Sequence, residues 1–193
     1  MQTINERQKV WDPMVRIFHW SLILFFTITY LTEDEWLDLH VTTAYVVTGL
    51  VIFRVFWGFI GGRHARFSQF VRSPRTVRAY LKDVLAFKAK RYVGHNPAGG
   101  AMVLALIFSL TATIITGMVI YGYEELSGPL AGYTSTLTPF IADVIEESHE
   151  LFASMTVFLI FMHVIGVLIA SFQHQENLIH SMVHGYKKVS THD

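Results

Sequence analysis

A chain of 193 residues with 52% in the apolar set and only 16% charged is too poor in charge for a soluble domain, where roughly a quarter is usual. Lys plus Arg and Asp plus Glu both number 15, so the formal charge is zero, which excludes a generally basic nucleic-acid binder and a charge-rich disordered chain. The absence of Cys excludes disulfides, thiolate zinc sites, iron–sulfur clusters and Cys-x-x-Cys-His haem attachment, and leaves ten histidines as the strong metal ligands.

A bilayer core needs about 20 mostly apolar residues per helix, and four stretches qualify. The first covers 13–31, and Asp12-Pro13 supplies an N-cap followed by proline at the first helical position. It lacks a small-residue cleavage site and carries Arg16 and His19, so it is expected to be retained rather than removed as a signal peptide. The second covers 40–60 and stops at Gly61-Gly62. Ser73-Pro74 then opens an amphipathic segment over about 74–90, with Val77, Tyr80, Leu81, Val84 and Leu85 opposite Arg75, Arg78 and Lys82. The third and fourth spans cover 98–121 and 149–172. A second amphipathic segment follows over 174–188, carrying Leu178, Ile179, Met182, Val183 and Tyr186. Contact with anionic lipid headgroups and packing on the helices are both open to these two segments.

The charges sort by side. Residues 32–39 hold Glu33, Asp34, Glu35 and Asp38, and the stretch from the third to the fourth span holds Glu124, Glu125, Asp143, Glu146, Glu147 and Glu150, with no Lys or Arg in either. All 15 Lys and Arg lie on the opposite side, with five acids among them, so the two faces carry +10 and −10. The positive-inside rule therefore predicts a four-helix transmembrane bundle, all-α, with both termini cytoplasmic.

Ionisable residues inside spans are costly and point to function. His149 and His163 are 14 residues apart on the fourth helix, about 21 Å of rise and only some 40° around the axis. One face of that helix thus offers a ligand at each of two depths. His40 matches the outer depth from the second helix, and His19 the inner depth from the first. Two facing pairs on different helices are what two bis-imidazole haems require, with no open iron position, which suits electron transfer. A proton or metal transporter would add Asp or Glu at mid-depth, and none occurs there. Arg54 follows His40 by 14 residues and Arg16 lies one turn before His19. Both are placed either to meet the propionates of an inner haem or to snorkel to the interface. Small residues Ala44, Gly49 and Gly117 serve either to admit a macrocycle or to let helices pack closely.

On these residues the chain resembles the bacterial cytochrome b561 family, including the b-type cytochrome subunits of nickel–iron hydrogenases. The resemblance runs from Trp11 to Lys188: Arg16-Ile17-Phe18-His19-Trp20, His40 with Arg54-Val55-Phe56-Trp57-Gly58-Phe59, Gly94-His95-Asn96-Pro97, Glu147-Ser148-His149 and His163-Val164-Ile165-Gly166. Ala44 departs mildly from the small residue common four positions after the second-helix histidine. The resemblance implies haem b between His19 and His163 and a second between His40 and His149. It also implies a bacterial inner-membrane location and electron exchange between membrane quinone and a redox partner, a periplasmic cytochrome c or a hydrogenase-like subunit.

The rival function is a superoxide oxidase feeding quinone, which part of the family performs. The acid-rich outer segments argue against it, because capture of an anion is speeded by positive charge. They would instead attract a cationic protein face. A haem-free transport or structural protein is the third class. His95 has a propionate, a quinone or an ordinary surface role open to it. His180 and His184 have the i, i+4 spacing of a metal pair but lack a third ligand motif. His64, His174 and His192 receive no role.

Overall fold

The computed structural model describes residues 7–33 and 35–188, so Asp34 and His192 lie outside the described residues. In chain order the elements are β1 (Arg7–Lys9), α1 (Pro13–Leu31), α2 (Leu37–Ile60), α3 (Phe67–Phe70), α4 (Pro74–Leu85), α5 (Pro97–Glu124), α6 (Ala131–Thr134), α7 (Pro139–Gln173), α8 (Leu178–His184) and β2 (Tyr186–Lys188). The fold is all-α but for one small ribbon, and α1, α2, α5 and α7 are long and apolar enough to cross a membrane.

Local chemistry sets the helix starts. Asp12 Oδ1 accepts from the Val15 amide at 2.9 Å, with Pro13 opening α1. Ser73 and Pro74 repeat that arrangement at α4. Helix α7 begins at Pro139, ten residues before the apolar span read from sequence. Thr138 accepts from the Ile141 and Ala142 amides and starts it there. Its 35 residues rise about 52 Å, well beyond a hydrocarbon core of about 30 Å. The stretch carrying Asp143, Glu146 and Glu147 is the part that hydropathy does not mark.

Lipid-exposed helices invert the soluble pattern, because the surrounding solvent is itself apolar and backbone groups bond within each helix. Phe56, Phe59, Phe158 and Phe161 are exposed, while Thr43, Arg54, Ser109 and Thr156 are buried. The chain divides into two compact units, Met1–Met102 with His163–Asp193, and Val103–Met162.

In the first unit α1 and α2 pack side by side, tied by Thr29 Oγ1 to Thr43 Oγ1 at 2.8 Å. Tyr80 buries one side of α4, and Gln173 Nε2 donates to the Val84 carbonyl at 2.7 Å. Leu81, Leu85 and Phe87 remain exposed beside Arg78 and Lys82, so only part of the apolar face is used within the chain. The first and last described elements are joined: β1 and β2 pair antiparallel, with Gln8 opposite Lys187. Gly185 makes the turn into β2 at φ 89°, and a Cβ there would sit 2.8 Å from the Trp11 carbonyl oxygen. Its own carbonyl accepts from Val10 and Trp11 at 2.8 and 3.1 Å.

A carboxylate holds this ribbon in place. Glu176 accepts from Arg91 Nε at 2.9 Å and faces Lys187 Nζ at 3.6 Å, and Lys187 also donates to the Tyr92 carbonyl at 3.4 Å. Burial holds the Lys187 ammonium below its usual range, with Glu176 pulling the other way. Glu176→Ala is expected to cost about 3 kcal/mol, the price of leaving a buried cation without its carboxylate. Limited proteolysis of intact protein should then cut the C-terminal strand faster; an unchanged cleavage rate would rule out this role.

In the second unit, Ser109 Oγ and Thr156 Oγ1 meet at 2.7 Å between α5 and α7, with the Phe152 carbonyl accepting from both. Phe108 and Phe152 pack edge to face beside them.

Candidate functional site

The basic end of the first unit gathers side chains from α1, α2, α3, the loop before α5 and the end of α7. His19 and His163 face each other, with ring centres 6.4 Å apart and planes at 58°. Trp20 stands edge-on to the His19 ring at 5.4 Å. Arg54 is only 4% exposed and does not snorkel to water. Its guanidinium lies 5.1 Å from the Phe67 ring centre and 5.9 Å from that of Phe70, stacked by two aromatics from α3. Arg16 donates through Nη2 to the Val183 carbonyl, which ties α1 to α8.

His95 joins this end. Its ring is 4.6 Å from Phe70 and 4.8 Å, edge-on, from Trp11. Burial, with Arg54 and then Lys187 adding positive charge, pushes its pKa down to about 3, so the imidazole is neutral at physiological pH. Among the described residues, the buried side-chain polar atoms without a hydrogen-bond partner are Arg16 Nε, His19 Nδ1, Arg54 Nη1 and His95 Nδ1. Buried polar groups are nearly always satisfied, and these four all belong to one end of one unit.

The other two histidines are held differently. His40, in the first turn of α2, donates from Nδ1 to the Thr29 carbonyl at 2.9 Å. Thr29 lies in the last turn of α1, and its carbonyl also accepts from the C-cap Thr32, through the amide at 3.4 Å and Oγ1 at 3.2 Å. In the second unit His149 donates from Nδ1 to the Thr113 carbonyl at 2.9 Å, with Thr116 Oγ1 at 3.2 Å. A carbonyl can only accept, so each bond fixes the tautomer in which Nε2 carries the lone pair. That is how a metal-binding imidazole is oriented. Gly117 completes the His149 seat, because a Cβ there would lie 2.7 Å from His149 Cε1. Gly49, by contrast, faces open space.

Other candidates lead to no site. The His180 and His184 rings stack at 4.0 Å on α8, but among the described residues no group of three or more His, Cys, Asp or Glu is placed to hold a metal. Gly94 packs against His64, with a Cβ position 2.9 Å from Nδ1. The Thr29 and Thr113 carbonyls and the aromatic cover over Arg54 were not legible in the sequence, since residue type does not mark which backbone oxygen will meet a ring.

Membrane-crossing helices that carry oriented and facing histidines, in a chain without thiolates, define a membrane protein of the haem-dependent electron-transfer class. The chain belongs to the prokaryotic cytochrome b561 family, whose model matches residues 10–185. It is similar to a "Probable Ni/Fe-hydrogenase B-type cytochrome subunit" of Rhodobacter capsulatus, at 24% identity over 97% of this chain and 84% of that protein. The protein of the same name in Bradyrhizobium diazoefficiens is 26% identical over 93% of this chain and 85% of its own length. A "Probable Ni/Fe-hydrogenase 1 B-type cytochrome subunit" of Escherichia coli K12 is 24% identical over 92% and 89%. No solved structure matches the chain.

Membership implies haem b, and the basic end fits it. Two imidazoles bonded to opposite sides of one iron, with metal–nitrogen bonds of about 2.0 Å, put their ring centres roughly 6 Å apart. His19 and His163 already stand at 6.4 Å. The unpartnered Arg16 and Arg54 atoms beside them are donors suited to carboxylates.

Proposed function

We propose that this chain is a two-haem conduit that carries electrons across the bacterial cytoplasmic membrane between quinone and a redox partner protein. His19 and His163 hold the inner haem, His40 and His149 the outer one, and Arg16 and Arg54 meet the inner propionates. The observation that carries this reading is the 6.4 Å separation of the His19 and His163 rings.

Bound haem b would supply reversible one-electron chemistry, with His19 and His163 holding one haem and His40 and His149 the other, an all-histidine set suited to electron transfer. The residues do the rest. Thr29 and Thr113 carbonyls orient His40 and His149. Burial of Arg54 under Phe67 and Phe70 keeps a positive charge in a poorly solvated place, where its pull on a carboxylate is strongest.

Sidedness follows from charge. With all 15 Lys and Arg at one end, the positive-inside rule makes that end cytoplasmic, and four crossings return the C-terminus to it. The pairing of β1 with β2, which puts the first and last described elements together, supports this reading. The acidic outer segments favour a partner with a cationic face. The relatives' names favour a hydrogenase-like subunit, with a periplasmic cytochrome c as the other candidate. The same acids disfavour superoxide as a substrate.

Purified protein is expected to give a reduced b-type spectrum with two haems per chain. A chain without a Soret band would refute the redox reading altogether, and fast oxidation of superoxide at low ionic strength would overturn the choice of conduit over oxidase.

A further inference from the structure

The unpartnered polar atoms at the basic end include one that ligation does not explain. His95 lies outside the membrane-crossing helices, in the loop before α5. Its Nδ1 is buried without a hydrogen-bond partner, although the ring is well packed between Trp11 and Phe70. Phe70 also stacks on the Arg54 guanidinium, so one aromatic ring fixes both groups. Arg54 Nη1 is likewise buried and unpartnered, in a side chain only 4% exposed. A neutral ring nitrogen, able to carry the ring proton, and a cationic donor, both left unsatisfied and both locked by packing, cost stability unless a partner arrives to take them. An anionic acceptor satisfies both at once.

We propose that His95 and Arg54 form a preassembled carboxylate seat, with His95 Nδ1–H and Arg54 Nη1 donating to one propionate of the haem held by His19 and His163. The seat rests on the ligation reading above and adds His95 to it as a positioning residue. The loop carrying His95 then works as a clamp. It is anchored by Asn96, whose Oδ1 accepts from the Gly99 amide at 2.7 Å, and by the packing of Gly94 on His64. Trp11 closes the other side of the ring, and its indole is itself held by Ser181 Oγ at 3.3 Å. Loss of the His95 donor therefore loosens the cofactor while both axial ligands stay in place.

The test compares haem retention in the native chain and in His95→Phe, each loaded with haem b or with its dimethyl ester, which lacks the carboxylate charge. Transfer to an excess of apomyoglobin gives the rates. In His95→Phe, one haem is expected to leave about tenfold faster, in line with loss of a hydrogen bond to a charged group. The second haem in the same molecule should keep its native rate and so reports that the fold is intact. His95→Gln, which retains a donor, should recover most of the retention. With the ester, the native chain should lose its inner haem as readily as the variant does, with no further effect of the substitution.

Equal retention of haem b in native and His95→Phe protein overturns the seat, as does an effect of the substitution that persists with the ester. Should His95→Phe not fold, the native chain decides alone, because indifference of the inner haem to esterification also overturns the seat. Failure of the ligation reading looks different: His19→Ala would then leave the haem count unchanged.

Discussion

On the two-haem proposal, replacing His19 by alanine is expected to leave one haem per chain in place of two, as measured by pyridine haemochrome against protein concentration. The expectation rests on how the cofactor is held. No cysteine is available to anchor it covalently, so its retention would rest on histidine ligation, packing and contacts to its carboxylates. His19 and His163 come from different helices, and their rings are already at the separation an intervening iron demands. Removing one ring would take away half of the proposed ligation of that haem. The haem that remains should be the one proposed for His40 and His149, which are oriented by separate carbonyls, Thr29 for His40 and Thr113 for His149. Loss of both haems with helical content preserved would contradict two independent sites, and retention of both would contradict His19 as a ligand.

Gly117→Val is expected to do the converse, costing the haem proposed for His149 and sparing the one proposed for His19 and His163. The His149 ring lies against the α5 surface where Gly117 has no side chain. A Cβ would approach Cε1 to 2.7 Å and Nδ1 to 3.1 Å. Thr113, one turn earlier on the same face, supplies the carbonyl that holds Nδ1 at 2.9 Å. The ring cannot retreat from a valine without breaking that bond. Overpacking of this kind costs about 1–3 kcal/mol, and loss of an orienting partner lowers metal affinity roughly 10–100-fold. Reduced spectra should therefore show the outer component at a small fraction of its native amplitude at limiting haem. An undiminished outer component would show that the close approach of Gly117 to the ring is incidental.

Much of this was legible in the sequence, for definite reasons. A hydrocarbon core demands some 20 apolar residues per crossing, so the four long helices announce themselves by composition. The spacing of His149 and His163 marks one helix face because helical periodicity is rigid. What escaped depends on contacts between distant residues. The start of α7 at Pro139 is invisible to hydropathy, since the extra turns carry Asp143, Glu146 and Glu147 and need no lipid around them. Gly117 was read as room for a macrocycle or for a helix, yet the structure sets the His149 ring itself against it. Arg54 had snorkelling open to it until Phe67 and Phe70, more than a dozen residues later, were seen to cover it. His95 left a surface role open for the same reason, because its neighbours Trp11 and Phe70 are remote in sequence.

The ribbon that joins Gln8 to Lys187 has a consequence for how the molecule is made. Its first strand precedes the four long apolar helices in sequence and its second follows them, so the two pair across a large sequence separation. Contacts of such separation form late. A polypeptide cut before Val183 would lack both the Gly185 carbonyl that accepts from Val10 and Trp11 and the Val183 carbonyl that accepts from Arg16. Trp11 packs on His95, and Arg16 lies one turn from His19. Closure of the ribbon thus sets the surroundings of the residues proposed to hold the inner haem.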